Sequence, residues 1–173
     1  ENRVQEALGK QDAAPDLAVR WHLIGGLQKN KARQAVNRFA LIHSVDSVRL
    51  AEEIARRAGV LGRDIPVLLQ VNVAGEPGKH GFAPDEVRDA ARRIAGSPGV
   101  WLRGLMTIAP LADDPETVRP MFRRLRRLSE EVRPEVSDAD ELSMGMSQDY
   151  EVAIEEGATL IRVGRAIFGG RRL

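Results

Sequence analysis

The chain has 173 residues, 43% of them hydrophobic and 29% charged, with 26 lysines and arginines against 25 aspartates and glutamates. This length and apolar content suit one sizeable core and argue against both disorder and two full domains, so residues 1–173 are expected to form one domain. A formal charge of +1 lacks the long-range field of a dedicated nucleic-acid binder, and the absence of cysteine excludes disulfides, zinc–thiolate sites and thiol nucleophiles.

No apolar run approaches the roughly eighteen residues of a membrane span. The opening ENRVQEALGK lacks the basic-then-apolar order of a signal peptide. Neither nucleic acid nor a membrane is therefore an expected partner, and the cytoplasm is the expected location. The chain starts at Glu1 in what reads as the middle of an element, a short helix over 3–8 with no strand ahead of it.

In chain order, 19-VRWHLIG-25 is rich in β-branched and aromatic residues and predicts a strand. The stretch 28-QKNKARQAVNRF-39 follows as a helix, with Ala32, Ala35, Val36 and Phe39 on one face. Next, 40-ALIHSV-45 predicts a strand and 46–59 a helix, which Asp46 or Ser47 caps and Gly59 ends. The third strand, 65-IPVLLQVNV-73, is apolar at almost every position, as a parallel strand covered on both faces requires. After the loop 74-AGEPGKHGFA-83, Val87, Ala90, Ala91 and Ile94 stripe a helix over 84–95. A fourth strand, 100–108, leads to a helix over 121–132. In that helix 122-FRRLRRL-128 reads as a solvated basic face around Phe122, Leu125 and Leu128. The fifth strand is 141-ELSMG-145 with helix 148–157, and the sixth is 159-TLIRVG-164, with 165-RAIFGG-170 opening a terminal helix.

Strict β-then-α alternation without a hairpin signal means a parallel α/β sheet, either open and doubly wound or closed into an eightfold barrel. A (β/α)8 TIM barrel typically needs about 250 residues and eight strands. Six strands behind an orphan helix fit such a barrel if they are its third to eighth. The two glycine-rich stretches then fall after strands seven and eight, where these barrels hold a phosphate on loop amides and a helix N-terminus.

Glycines at 145 and 164 let backbone N–H groups approach an anion, and the hydroxyls of Ser143 and Ser147 add donors. Taken singly, each loop is equally well read as a strand end and a helix cap. Arg162 shares a strand face with Leu160, and a guanidinium in a barrel mouth must meet a carboxylate or a ligand acceptor. Asn72, Met106 and His22 lie toward the same rim, each more simply a packing or hydrogen-bonding residue. His22, His43 and His80 show no metal-ligand spacing with carboxylates, and no nucleophile–base pair is evident.

Several motifs in order, 1-ENRVQE-6, 21-WHLIGGLQKNK-31, 70-QVNVAGEPGKHGF-82, 103-RGLMTIAP-110, 142-LSMGMSQDYEVAI-154 and 160-LIRVGRAIFG-169, resemble the pyridoxal phosphate homeostasis protein family. The resemblance runs along the whole chain. It implies a single-domain barrel similar to the N-terminal domain of alanine racemase, which binds pyridoxal 5′-phosphate as a carrier or regulator without an established reaction. It implies that Ser143, Gly145, Met146, Ser147, Gly164 and Arg165 form the phosphate loops and that Arg162 faces the pyridine nitrogen. Asn2 and His22 would lie beside the ring. The family's Schiff-base lysine belongs to the first barrel strand, ahead of the ENRVQE motif. It is therefore expected upstream of Glu1, on about fifty further residues, the shortfall from a complete barrel. Lys10, Lys29, Lys31 and Lys79 do not occupy its position.

Other readings compete with this one. A racemase-like or transaminase-like enzyme needs that lysine and a second base, for which Tyr150, the only tyrosine, is badly placed on the helix after the SMGMS loop. A barrel for another phosphorylated metabolite fits the loops equally. A purely structural fragment is the fourth reading. Partners beyond the cofactor would be pyridoxal-phosphate-dependent apoenzymes.

Overall fold

The computed structural model describes residues 1–170. Helix α1 (Val4–Ala13) precedes six strand–helix units: β1 (His22–Leu23) with α2 (Ala32–Arg38), β2 (Leu41–Val45) with α3 (Val48–Val60), and β3 (Ile65–Gln70) with α4 (Val87–Ala95). The series continues through β4 (Val100–Met106) with α5 (Arg119–Val132), β5 (Glu141–Met146) with α6 (Tyr150–Glu155), and β6 (Leu160–Arg162) with α7 (Arg165–Phe168). Single 3-10 turns at Lys29–Lys31, Pro84–Glu86 and Pro115–Val118 lead into α2, α4 and α5.

The strands form one parallel sheet in the order β1-β2-β3-β4-β5-β6. A doubly wound sheet reverses its strand order at a switch point, whereas here every strand lies beside its sequence neighbour, as in a barrel. The fold is a six-stranded, curled segment of a parallel β/α barrel.

Alternation along each strand divides the sheet into two faces. Ile42, Val67, Leu69, Leu102, Leu105, Leu142 and Met144 pack with the helices, where Val36, Leu50, Ile54, Ile94, Phe122 and Leu125 meet them. Each such side chain contributes about 1.5–3 kcal/mol by leaving water. On the opposite, inner face, Leu41, Leu68 and Met106 make a small separate cluster against Leu160. Two residues further along β2 and β6, His43 and Arg162 follow Leu41 and Leu160 on that inner face, and both are buried. An apolar floor therefore lies below a polar layer at the C-terminal ends of the strands.

Several boundaries move from their sequence-based positions. The opening helix runs on to Ala13, because Gln11 continues the buried face of Val4 and Ala7 and its amide donates to Arg38 O at 3.2 Å. Lys10 thus lies within α1 rather than after it. Only His22 and Leu23 of the first expected strand pair with β2, in register with Leu41 and Ile42. Ser47 does cap α3, accepting from Leu50 N at 3.3 Å, but Gly59 lies inside that helix; the left-handed residue beyond its end is Gly62, with φ 63°. Gly104 bulges β4: its φ is 148°, and a Cβ there would stand 2.0 Å from Glu141 O. That glycine lets β4 and β5 approach each other.

Candidate functional site

The C-terminal ends of β5 and β6 bring the two glycine-rich stretches together. Met146 is in register with Arg162, and the loops beyond are joined where the Ala166 amide donates to Ser147 Oγ at 3.2 Å. Ser147 therefore bridges to the start of α7 instead of capping the helix behind it. The Met146 amide donates to Asp149 Oδ1 at 2.6 Å, so this loop N–H already holds an anionic oxygen.

The two glycines differ in kind. Gly145 has φ 90°, and a Cβ on it would meet Ala153 Cβ at 2.6 Å, so packing against α6 alone demands glycine there. Gly164 has an ordinary φ of −117°, and a Cβ would meet nothing within 4 Å. Open space lies beside its backbone. Gly164, Arg165 and Met146 are exposed at the rim, while Ser147 is partly covered.

Ser143 sits deeper. It is fully buried, and its Oγ accepts from Arg162 Nη1 at 2.6 Å and lies 2.8 Å from His43 Nδ1. It belongs to the inner polar layer beneath the rim. Arg162 Nη2 donates to the Thr107 carbonyl at 2.7 Å. Thr107 is itself anchored, its hydroxyl donating to Val71 O at 2.8 Å. The guanidinium thus rests on two neutral oxygens, and none of its hydrogen bonds goes to a carboxylate among the described residues. Burial pulls its pKa down to about 10, opposed by the field of Asp149, so it stays charged at neutral pH.

His43 Nε2 lies 3.2 Å from His22 Nδ1, with ring centroids 5.2 Å apart. Burial first, then the neighbouring His22 and Arg162, lower the His43 pKa to about 3. Burial, followed by Arg20, also lowers that of His22. His22 thus joins the inner layer. Asn2 is exposed and meets the site differently: its backbone packs on Gly25, where a Cβ would stand 2.1 Å from Asn2 O.

Asn72 and Met106 have partners within the fold. The Asn72 side chain closes its own loop, donating to Glu76 O and accepting from Glu76 N. Met106 lies in the inner apolar cluster. Lys10 pairs with Glu1 and Lys79 with Glu76, each at a surface. The described residues contain no cluster of histidines and carboxylates able to hold a metal. No helix among them is long and apolar enough to cross a membrane. The sequence reading passed over His43, Thr107 and Asp149 as site residues. The signal for His43 was its place two residues after Leu41 on one strand face; Thr107 contributes only a carbonyl, which no side-chain pattern reveals.

The alanine racemase N-terminal domain family matches residues 1–172. The pyridoxal phosphate homeostasis protein of Aquifex aeolicus is 47% identical over 173 residues, spanning 99% of this chain and 76% of that protein. That of Pseudomonas aeruginosa is 42% identical over 171 residues, spanning 99% and 73%. The chain belongs to the pyridoxal phosphate homeostasis protein family.

Among solved structures, PipY of Synechococcus elongatus without PLP superposes with a TM-score of 0.91 at 45% identity, covering 98% of this chain and 80% of PipY. The same protein with PLP bound gives 0.89 at 44%, with the same coverage. Alanine racemase from Clostridium difficile, at 15% identity and a TM-score of 0.81, shares the fold. This family member therefore has the barrel arrangement in which the ends of β5 and β6 are neighbours, and the polar layer described above lies at those ends.

Proposed function

We propose that this chain binds pyridoxal 5′-phosphate at the C-terminal ends of its strands and serves cofactor homeostasis, handing the cofactor to dependent apoenzymes in the cytoplasm without catalysing a reaction of its own. One observation carries the reading: a buried, charged guanidinium, Arg162, held only by neutral oxygens at the register position beside the β5 loop. A buried cation is costly unless paired; these two acceptors carry no charge, Asp149 acts on the guanidinium through its field without an ion pair, and further N–H groups remain. The ring nitrogen of the cofactor is an acceptor of the required kind. The relatives' names and the PLP-bound form of PipY support the same ligand.

The residues present fit the group. Open space beside the Gly164 backbone, the Ser147 hydroxyl and the exposed Arg165 supply what a phosphate dianion needs, whereas the Met146 amide is already taken by the Asp149 carboxylate. Ser143 is better read as the support of Arg162 than as a phosphate donor, since its oxygen is buried and occupied. Gly145 holds the loop against α6. His22 and Asn2 line the side nearest β1.

When bound, pyridoxal phosphate supplies an electrophilic aldehyde and a ring able to accept electrons. Arg162 works against the second capacity. A permanent cation beside the ring nitrogen disfavours its protonation, and an unprotonated ring withdraws electrons weakly. The apolar floor of Leu41, Leu68, Met106 and Leu160 keeps water from beneath the guanidinium, which strengthens that effect. Such a site retains the cofactor while discouraging its chemistry.

The test is equilibrium dialysis of the full-length protein against pyridoxal phosphate, pyridoxal and inorganic phosphate, beside an amino-acid racemisation assay and transfer of cofactor to an apo-transaminase. Tight retention of pyridoxal phosphate alone, transfer and no racemisation are expected. Retention of inorganic phosphate as tightly as the cofactor would instead favour a site for other phosphorylated metabolites.

A further inference from the structure

A polar chain crosses the inner face of the sheet from Arg162 to His22 through two buried residues. Arg162 Nη1 donates to Ser143 Oγ at 2.6 Å, Ser143 Oγ lies 2.8 Å from His43 Nδ1, and His43 Nε2 lies 3.2 Å from His22 Nδ1. The chain spans β6, β5, β2 and β1. Its two inner members, Ser143 and His43, are 0% and 2% exposed, so no water competes for their bonds.

Proton accounting leaves two arrangements. A guanidinium only donates, so Ser143 Oγ uses one lone pair on Arg162. Toward His43 it then offers either its own proton or its second lone pair. In the first case His43 carries its proton on Nε2 and donates to His22 Nδ1, and His22 carries its proton on the outer Nε2. In the second, His43 Nδ1–H points at an oxygen already facing a cation.

Charge separates the two. In the first arrangement the negative ends of the hydroxyl and imidazole dipoles face Arg162, and each donor polarises the next, making Ser143 Oγ a stronger acceptor for the guanidinium. In the second, a positive end faces the cation in a medium of low dielectric. The other groups around the chain do not reverse this order. Asp149 acts on Arg162, Glu141 acts on His22, and Arg20 reinforces the neutral form of His22.

We infer that His43 is a positioning residue: as the neutral Nε2–H tautomer it accepts the Ser143 hydroxyl through Nδ1 and thereby fixes the guanidinium of Arg162 in the orientation that receives the ligand. His22 ends the same directed chain. The inference rests on the proposed cofactor reading only for what Arg162 faces; the tautomer follows from the protein alone.

The decisive experiment is long-range proton–nitrogen NMR of the histidine rings in the full-length protein without cofactor. His43 is expected to show one protonated nitrogen, Nε2, unchanged between pH 8 and about 5, well below the ordinary histidine value of about 6.5. A proton on Nδ1, or titration near the ordinary value, overturns the inference.

A second arm uses pyridoxal phosphate titrations of His43→Leu and His43→Asn, with melting curves to verify folding. Leucine removes the acceptor, and about 2- to 10-fold weaker binding is expected, the worth of one hydrogen bond. Asparagine places an amide oxygen near the Nδ1 position, and recovery of most of that loss is expected. Equal loss in both variants, or none in either, contradicts the assignment. Should His43→Leu not fold, the asparagine variant and the ring spectra decide. A wild-type protein that ignores pyridoxal phosphate but shows the Nε2–H tautomer sinks the proposed function and leaves the directed chain standing.

Discussion

Arginines are held in two opposite ways in this molecule. On the helical side, Arg119, Arg123 and Arg126 of α5 converge on the single carboxylate of Glu156 at the end of α6, at 3.2, 2.9 and 3.6 Å. On the inner face, Arg162 donates to two neutral oxygens and to no carboxylate among the described residues. In the first case Glu116, Glu155 and Glu130 complete the charge balance, and the product is mechanical: α5 is clasped to the end of α6. In the second, among the described residues, only the field of Asp149 opposes the charge, without an ion pair. A guanidinium without a direct ion pair is the better candidate for a ligand contact.

The contrast predicts different consequences for the two regions. The largest effect on stability should come from Glu156→Ala, which strips Arg123 of its carboxylate, while Arg119 keeps Glu116 and Glu155 and Arg126 keeps Glu130. A loss of about 1–3 kcal/mol by denaturant melting is expected, less than the 3–5 kcal/mol of a fully buried pair because the arginines keep solvent contact. Ser147→Ala should cost about 1 kcal/mol or less, since it removes only the acceptor for the Ala166 amide, and should weaken cofactor retention by about 2- to 10-fold. If its effect on stability exceeds that of Glu156→Ala, the loop junction rather than the clasp holds this side together.

Acid should divide the two regions further. The Glu156 carboxyl is held below its ordinary range, chiefly by the hydrogen bond from Arg123. Its contribution is therefore complete above the unfolded carboxylate value of about 4.3 and declines as pH falls below it. His43 acts from a higher pH. Its folded pKa of about 3 lies below the unfolded value, so the unfolded chain takes up the proton first and stability declines as pH falls below about 6.5. Melting curves of His43→Asn and Glu156→Gln against pH should each lose one of these two slopes. Smallest of all, Glu53→Gln on the partly exposed side of α3, where Arg56 and Arg57 share the carboxylate, should leave the melting temperature and cofactor binding unchanged within error.

The comparison also marks what the residue pattern could convey. Strand and helix existence followed from periodicity: the stripe Val87, Ala90, Ala91 and Ile94 faces the core in α4, and the run 65–70 is an inner parallel strand. The ends were set by tertiary contacts that no local pattern carries, as with Gln11 extending α1 toward Arg38. Around the site, the two glycine loops and Arg162 were legible because glycine and a mid-strand arginine are locally unusual. Gly145 carries a second demand that no local pattern reveals, its packing against Ala153. The basic stretch 122–128 read as a solvated face, yet Arg123 and Arg126 turn to Glu156 and Arg124 reaches Val73 O, partners 30 to 50 residues away in sequence. Thr107 acts through its backbone, and His43 through a serine a hundred residues further on.

Arg162, without an ion pair, and not the clasped arginines, is proposed to be reserved for the ligand. Parallel titrations of pyridoxal phosphate into the full-length protein with Arg162→Gln and with Glu156→Gln test it most directly. Arg162→Gln should bind about 10- to 100-fold more weakly, the worth of a charge-assisted hydrogen bond, with the spectrum of the residual complex altered. Glu156→Gln should bind as the wild type does at a temperature where it remains folded. Unchanged affinity in Arg162→Gln, or an equal loss in both, would contradict the claim.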